Sequence, residues 1–201
     1  MASVYDLKTR FQNLLRPIVR SFARMGITAN NVTIFAFALS LGTGIWLASS
    51  PGSRAAYFAY PLLLLVRMAL NAIDGMLARE FGQESHLGAF LNELGDVLSD
   101  AALYLALGML TGASFFLASL FVILAISTEL TGLIAAGVGA SRRYDGPMGK
   151  SDRAFAVGAF MFFAGFFPSI IGGANILLAA LSILCLWTVA NRISKAIGEL
   201  D

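Results

Sequence analysis

Charged residues are scarce in this sequence of 201 residues, in which Asp, Glu, Lys and Arg together make up 13%. A soluble domain carries about 25%, so a water-facing globule is excluded. The single cysteine, Cys185, excludes a disulfide framework and a cysteine-ligated zinc site alike. The single histidine, His86, is isolated in a polar connection, where a surface role is more typical than a catalytic one. Hydrophobic side chains dominate instead, at 58%.

Three long stretches contain no Asp, Glu, Lys, Arg or His, and they predict membrane spans: 31–53, 101–128 and 154–191. As one helix, the last stretch would be about 57 Å long at 1.5 Å per residue, too long for a single crossing, but Pro168 divides it. Turn residues divide the rest of the chain similarly and predict an all-α integral membrane bundle of six transmembrane helices. Their approximate bounds are 32–50, 55–74, 87–110, 111–140, 154–169 and 173–191.

The basic residues collect on one side of these six spans. Twelve of the fourteen Lys and Arg residues lie on the side that both termini share, Arg54 alone lies on the other side, and Arg67 falls inside a span. The positive-inside rule assigns the basic side to the cytoplasm. We therefore expect a multi-pass protein of the cell's inner membrane with cytoplasmic N- and C-termini. The twelve are Lys8, Arg10, Arg16, Arg20, Arg24, Arg79, Arg142, Arg143, Lys150, Arg153, Arg192 and Lys195.

Residues 1–29 are predicted to form a separate segment before a transmembrane domain of residues 30–193, with residues 194–201 as a short cytosolic tail. In the first segment, apolar residues recur at helical spacing opposite basic residues, which predicts an amphipathic helix on the inner membrane surface. The alternative is an ordinary cytosolic helix packed on the loops. The basic residues are spread along the segment without an apolar core between them, so it is not a secretory signal.

A few ionisable and amide side chains lie at membrane depth, where charges cost about 2.5 to 3.5 kcal/mol each and are usually functional or paired. On the second span Arg67, Asn71 and Asp74 are spaced i, i+4 and i+7 and share one helical face. On the third span four residues at intervals of four also share one face. They are Gly88, Asn92, Asp96 and Asp100. Because only about a dozen residues join the two faces, we expect the faces to meet.

This group of carboxylate and amide oxygens lacks His and Cys partners, which favours a hard cation such as Mg²⁺, Mn²⁺ or Ca²⁺. Gly75 and Gly88 have no side chains and would let a phosphorylated ligand approach the backbone. Spacing alone leaves two alternatives open. Carboxylate clusters on two helices also serve in ion transport and in structural pairing.

The segment NAIDGMLAR at 71–79, then eight residues, then GAFLNELGD at 88–96 closely resembles the signature of the CDP-alcohol phosphotransferases. That signature reads D-x-x-D-G-x-x-A-R, eight residues, then G-x-x-x-D-x-x-x-D. The family transfers a substituted phosphate from a CDP-linked donor, often CDP-diacylglycerol, to an alcohol and releases CMP. The resemblance implies an amphipathic segment, six transmembrane helices and usually a homodimer. It implies a lipid donor, an alcohol acceptor and membrane lipids as partners, and no nucleic acid.

The resemblance also implies a role for each matching residue, with Mg²⁺ or Mn²⁺ as cofactor. Asp74 would ligate the metal and help to hold the cytidine phosphates. Asp96 would act as the general base or as a metal ligand. Divalent ions that bridge a pyrophosphate stabilise the charge on the leaving CMP, and a nearby carboxylate takes the proton from the acceptor hydroxyl. The residues implied to shape the nucleotide pocket or to allow close helix approach are Gly75, Ala78, Arg79 and Gly88.

Two of the four signature aspartates are asparagine in this chain, at Asn71 and Asn92. An amide oxygen can still coordinate a hard cation, so the predicted metal set is Asn71, Asp74, Asn92 and Asp96. With two carboxylates fewer, we expect weaker metal binding by the free protein and binding that depends on the nucleotide. The alternative function is a non-catalytic relative that keeps the nucleotide and lipid pocket.

Several other charged residues have competing interpretations. Asp100 is predicted to pair with Arg67, because each lies one turn deeper than its signature neighbour, rather than to ligate metal. Glu129 could serve structure or a substrate cavity equally well. In the basic turn 142–153, Lys150 and Arg153 are predicted to bind a phosphate of the donor or acceptor. Two further bases in that turn, Arg142 and Arg143, are attributed to membrane orientation, and Glu93 points away from the site.

Overall fold

The structure is a computed structural model that describes residues 4–201, with side chains from Phe11 onward, and this part of the chain contains helices and no strand. The predicted all-α class is confirmed. The α-helices are α1 (Val4–Arg24), α2 (Ala29–Ser49), α3 (Arg54–Glu80), α4 (His86–Leu105), α5 (Phe115–Gly137), α6 (Lys150–Phe166) and α7 (Ala174–Leu200). Short 3₁₀ helices at Ala106–Met109 and Pro168–Gly173 follow α4 and α6.

Polar residues at the breaks between apolar stretches start four of these helices. In each case a hydroxyl oxygen accepts a hydrogen bond from a backbone N–H of the first turn, which satisfies one of the donors that a helix leaves unpaired. These residues are Thr28 for α2, Ser53 for α3, Ser85 for α4 and Ser114 for α5. The breaks seen in the sequence are therefore the points where the chain begins new helices.

Within residues 4–201, four helical segments are long and apolar enough to cross a membrane, namely α2, α3, α5 and Pro168–Leu200. Helix α4 carries three acids within its 20 residues, and α6 has 17 residues and begins with a charged turn. The count of six spans is not confirmed and stays a prediction. Helix α7 continues to Leu200 without a break at 193, so the predicted tail is the end of that helix.

Helix α2 packs against both α3 and α4, α3 packs against α6, and α5 packs against α7. Large side chains from several helices fill the main core, among them Tyr60, Leu103 and Phe121. A second apolar cluster joins α1 to the start of α2 and the end of α3. Helix α1 contributes Leu15 and Val19, and both are buried. Because α3 and α4 both pack against α2, the last turns of α3 lie near the first turns of α4.

Helix α1 is amphipathic in the structure as well. Leu15 and Val19 are buried in the cluster with α3, while Leu14 and Ile18 are exposed on another face. The Arg16 guanidinium donates to the Glu80 carboxylate at 3.0 Å and ties α1 to the end of α3. The helix is thus packed on the bundle and still presents apolar residues outward, which combines features of both sequence-based interpretations.

The crossing of α2 and α4 depends on Gly44. A Cβ atom at this position would overlap the main-chain carbonyl of Ala102, whereas a Cβ at Gly42 would meet nothing within 4 Å. We expect Gly44→Ala to lower the free energy of unfolding by about 1–3 kcal/mol, because the backbones would have to move apart. Denaturant unfolding in detergent micelles, followed by circular dichroism, measures this. Gly42→Ala is the matched control, and equal stability of the two variants would contradict the close crossing.

Candidate active site

The predicted residues at the end of α3 and the start of α4 line one cavity of about 350 Å³, called here the α3–α4 cavity. The start of α2 closes its third side with Asn30 and Thr33. Seven of the predicted site residues lie in its wall. They are Asn71, Asp74, Gly75, Ala78, Arg79, Gly88 and Asn92. The expectation from spacing that the polar faces of the two helices meet is confirmed.

Asp74 is buried in the wall of this cavity, and its Oδ2 atom accepts a hydrogen bond from the Thr33 hydroxyl at 2.8 Å. The bond crosses from α3 to α2. It orients the carboxylate, because a hydroxyl donor stabilises a carboxylate that burial would otherwise penalise. Asp74 therefore presents a fixed carboxylate to the cavity.

The two signature glycines lie where space is short. A Cβ at Gly75 would lie 2.9 Å from an Arg79 guanidinium nitrogen, so Gly75 gives the Arg79 side chain room to fold back over α3. A Cβ at Gly88 would lie 2.8 Å from the Asn30 amide oxygen and 3.0 Å from the Ser85 hydroxyl. Close approach of α4 to the start of α2 therefore depends on Gly88. Another contact from the connection, Gln83 Oε1 to the Ala29 N–H at 2.7 Å, holds the same region.

Asp96 lies one turn beyond Asn92, and its carboxylate is 26% exposed. The Asn71 amide nitrogen donates to Asp96 Oδ1 at 2.8 Å, and the Lys150 ammonium forms an ion pair with Asp96 Oδ2. The Arg67 guanidinium donates to the Asp96 main-chain carbonyl at 3.1 Å. Helices α3 and α6 thus both contribute donors to this one acid.

A second cavity of about 420 Å³, called here the α4–α6 cavity, adjoins the first. Asn92 lines both cavities, and Asp96 and Lys150 line the second. A ligand in the first cavity and another in the second would therefore meet beside Asn92, one helical turn from Asp96. The arrangement can bring two substrates together at a carboxylate.

A buried ionic network lies beside the α4–α6 cavity. Arg67 pairs with Asp100 at 2.8 Å, as the sequence predicts, and Arg153 pairs with Asp100 and with Glu129 at 3.0 Å each. Arg153 also donates to the Thr128 hydroxyl at 2.8 Å. Two guanidinium groups and two carboxylates thus neutralise one another across α3, α4, α5 and α6, a requirement for charges taken out of water.

Lys150 and Arg153, which the sequence predicts to bind a phosphate, have different surroundings in the structure. Lys150 lines the α4–α6 cavity, whereas Arg153 is 0% exposed, lines neither described cavity and is held by acids. The structure therefore does not bring Arg153 together with the other predicted site residues. Glu129 combines both of its open interpretations, since it lines the cavity and pairs with Arg153.

The α4–α6 cavity is also lined by residues outside the predicted site, among them Glu93, Arg142 and Arg192. The Arg142 guanidinium donates to both Glu93 carboxylate oxygens, and this hydrogen bonding raises the pKa of Arg142. Arg192 donates to the main-chain carbonyls of Thr128 and Asp145. In the sequence the two arginines match the ordinary pattern of cytosolic bases, so the sequence does not indicate that they line a cavity.

The turn between α5 and α6 is held by exposed ion pairs. Arg143 pairs with Asp145 at 2.8 Å and with Glu199 at 2.6 Å, and Lys195 pairs with Asp145 at 2.8 Å. The hydrogen bond from Lys195, followed by the one from Arg143, holds the pKa of Asp145 below its ordinary value. His86 is exposed at the first turn of α4, which agrees with the surface role expected for it.

The family model described as CDP-alcohol phosphatidyltransferase matches residues 26–191. The chain belongs to the CDP-alcohol phosphatidyltransferase family. This family name confirms the resemblance carried by the residues of α3 and α4.

The chain is also similar in sequence to individual relatives and in fold to solved structures. The chain is 44% identical to Inner membrane protein YnbA of Escherichia coli (strain K12), with 94% of each chain covered. It is 27% identical to archaetidylinositol phosphate synthase of Aeropyrum pernix, with 96% of each covered. Crystal structures of Mycobacterium tuberculosis phosphatidylinositol phosphate synthase have a TM-score of 0.76 at 20% identity. One structure is in complex with manganese and citrate, and the match covers 90% of this chain and 87% of the crystallised chain. The other has CDP-DAG bound, and the match covers 90% of this chain and 92% of the crystallised chain.

The donor atoms in this member of the family suit a hard divalent cation. Asp74 supplies a carboxylate to the α3–α4 cavity, and Asn71 and Asn92 supply amide groups. Across the described residues no group of three or more His, Cys, Asp or Glu side chains is placed to hold a metal. Mg²⁺ commonly binds to one or two carboxylates and completes its shell with waters and substrate phosphates. The residues present therefore fit such an ion beside a nucleotide.

Proposed function

We propose that this chain transfers a phosphatidyl or other substituted phosphate group from a CDP-linked lipid to an alcohol, with release of CMP, in phospholipid synthesis. The observation that carries the proposal is the pair of adjoining cavities, the first lined by residues at seven signature positions and the second by Asp96. The donor is proposed to be CDP-diacylglycerol. The crystal structure of similar fold that has CDP-DAG bound supports this choice.

The donor's cytidine diphosphate is proposed to bind in the α3–α4 cavity. Gly75, Ala78 and Gly88 keep side-chain bulk away from the backbone there, and Arg79 brings a guanidinium to the phosphates. Asp74, Asn71 and Asn92 would hold a divalent cation, Mg²⁺ or Mn²⁺, and the manganese complex of the related fold supports a divalent ion. When bound, the cation supplies positive charge that stabilises the leaving CMP phosphate.

Asp96 is proposed to act as the general base. The acceptor hydroxyl loses its proton to an Asp96 carboxylate oxygen, its oxygen forms a bond to the lipid-side phosphorus, and the bond from that phosphorus to the CMP oxygen breaks. Asn71 donates a hydrogen bond to the carboxylate and the Lys150 ammonium pairs with it, so both side chains orient it. CMP leaves with the electron pair of the broken bond.

The acceptor is proposed to be a small water-soluble alcohol bound in the α4–α6 cavity. Glu93, Arg142, Lys150 and Glu129 line this cavity with both signs of charge, which suits a ligand that carries several polar groups. Lys150 would contact a phosphate of donor or acceptor, and the buried Arg153 would support it from the network. The acceptor could not enter a bilayer unaided, so the cavity must open to water.

The membrane arrangement completes the proposal. The relative named an inner membrane protein and the four apolar segments support a membrane location. Six crossings with both termini in the cytoplasm, domain limits at residues 29 and 193, and assembly as a homodimer remain proposals based on the charge distribution and the family resemblance. In this orientation the site would receive a soluble alcohol from the cytoplasm and a lipid donor from the bilayer.

The asparagines favour one alternative, a non-catalytic relative that binds nucleotide and lipid. Asn71 and Asn92 remove two of the four signature carboxylates from the site. Such a protein would bind CMP in the α3–α4 cavity and would turn over no acceptor. The same experiment therefore has to measure both binding and turnover.

The test uses the purified full chain, CDP-diacylglycerol and Mg²⁺ or Mn²⁺ with a panel of alcohols that includes inositol phosphate, glycerol phosphate and serine. We expect one acceptor to yield a new phospholipid, identified by mass spectrometry, together with an equal amount of CMP. Binding of CMP without any product across the panel would contradict the enzyme and would support the non-catalytic alternative.

A further inference from the structure

The Asp96 carboxylate is surrounded by nitrogen donors. Asn71 donates to Oδ1 at 2.8 Å, the Lys150 ammonium contacts Oδ2, and an Arg67 guanidinium nitrogen lies 3.6 Å from Oδ1. Both carboxylate oxygens are therefore engaged by groups of this chain. A carboxylate satisfied in this way has compensation for its charge without a metal ion.

Asn71 is the residue that makes this arrangement possible. A carboxylate only accepts hydrogen bonds, so the amide faces Asp96 with its nitrogen, and its oxygen stays available for another partner. An aspartate at position 71 would instead place a carboxylate oxygen against Asp96 at about hydrogen-bond distance. Two like charges that close disfavour joint ionisation unless a cation lies between them. The four-aspartate signature thus needs a cation at a place where this chain uses an amide and Lys150.

Asp74 has different surroundings. Its described side-chain partner is the Thr33 hydroxyl, on Oδ2, and none of the ion pairs among the described residues involves it. Asn71 and Asn92 line the same cavity. Asp74 therefore has no cationic partner among the described residues, and it shares its cavity with two amide side chains.

We propose that the site takes one divalent cation, held by Asp74 with the amide oxygens of Asn71 and Asn92, and that Asp96 is not a ligand. The Asp96 carboxylate binds no metal ion, because contacts with Asn71 and Lys150 take the place of a second cation. The inference rests on the proposed function, because it specifies the metal content of the same site. It decides between two roles, metal ligand and general base, that the family resemblance leaves as alternatives for Asp96.

Binding of Mn²⁺ to the full chain in detergent at saturating CMP tests the proposal, with free Mn²⁺ quantified by electron paramagnetic resonance. We expect one Mn²⁺ per wild-type chain, one per Asp96→Asn chain and none per Asp74→Asn chain. Both substitutions keep the size of the side chain, and circular dichroism verifies the helical fold of each variant. Two ions per wild-type chain, no bound ion, or loss of the ion in Asp96→Asn would each overturn the proposal.

The converse change gives a second measurement. The double variant Asn71→Asp with Asn92→Asp restores the four carboxylates, and we expect two Mn²⁺ per chain with a spin-coupled spectrum. Asn13→Asp, an exposed position on α1, is the matched control and should keep one. A double variant that still binds one ion would contradict the role given to Asn71.

Failure of this inference differs from failure of the proposed function. Two Mn²⁺ on a wild-type chain that releases CMP from CDP-diacylglycerol would overturn the one-ion site and leave the transferase intact. One Mn²⁺ on a chain that forms no product with any acceptor would support the one-ion site and contradict the transferase.

Discussion

Replacement of Asp96 by asparagine is expected to lower the rate of CMP release from CDP-diacylglycerol by about 10²–10⁴-fold, the usual contribution of a positioned general base. The amide keeps the size of the side chain but cannot take the acceptor proton. The Asn71 and Lys150 donors that hold the carboxylate would face a neutral group. Initial rates of CMP release, measured at saturating acceptor, give the fold-change.

The matched control is Glu80→Gln. It makes the same chemical change at the end of α3, where the carboxylate pairs with Arg16 in a half-exposed contact and lines neither described cavity. We expect a rate within about twofold of wild type, because an exposed ion pair contributes about 0–1 kcal/mol to stability. Equal rates in Asp96→Asn and wild type would remove Asp96 from the chemistry.

Replacement of Arg153 by methionine is expected to lower the free energy of unfolding by about 3–5 kcal/mol, as for other buried ion pairs that lose one partner. Arg153 is 0% exposed, and without its guanidinium Asp100 and Glu129 would lose the partner they share. The Thr128 hydroxyl would lose the donor at 2.8 Å as well. Denaturant unfolding in detergent, followed by circular dichroism, measures the loss.

Two comparisons isolate the buried network from a general effect of removing charge. Lys195→Met deletes a base whose pair with Asp145 is half exposed, and we expect a loss below about 1 kcal/mol. In a double-mutant cycle, Glu129→Gln combined with Arg153→Met should cost less than the two single losses added together. Strict additivity, or a stability of Arg153→Met near that of wild type, would contradict the coupling.

Helical periodicity explains why much of the site could be predicted from the sequence. Residues at intervals of three and four share one face of a helix, so Asn71 and Asp74 on α3 and Asn92 and Asp96 on α4 were expected to meet. The short connection between the helices favoured this arrangement. The same reasoning placed Arg67 beside Asp100, and the two pair at 2.8 Å.

The contacts between distant segments could not be predicted in this way. Arg142 lies 49 residues from its partner Glu93, and Arg192 contacts main-chain carbonyls rather than an acid. In the sequence these bases match the orientation pattern of any cytosolic loop. Which bases face the cavity depends on how α5, α6 and α7 pack, and this packing depends on tertiary contacts that periodicity does not encode.

The α5–α6 turn shows that sequence composition does not distinguish two bases within one helical turn. Lys150 and Arg153 are three residues apart in one basic segment, and composition treats them alike. In the structure the start of α6 directs Lys150 to Asp96 and buries Arg153 among Asp100 and Glu129. The contact of Lys150 lies in the α4–α6 cavity, and the contacts of Arg153 lie in the buried ionic network beside it.

The most direct measurement follows the lipid-side phosphate of the donor. CDP-diacylglycerol labelled with ³²P in that phosphate is incubated with the full chain, Mg²⁺ and the acceptor found in the panel. We expect the label to appear in a new organic-soluble phospholipid bearing the acceptor, with an equal amount of unlabelled CMP. Label recovered in water-soluble CDP, or label that stays in the donor while the protein still binds CMP, would contradict phosphatidyl transfer.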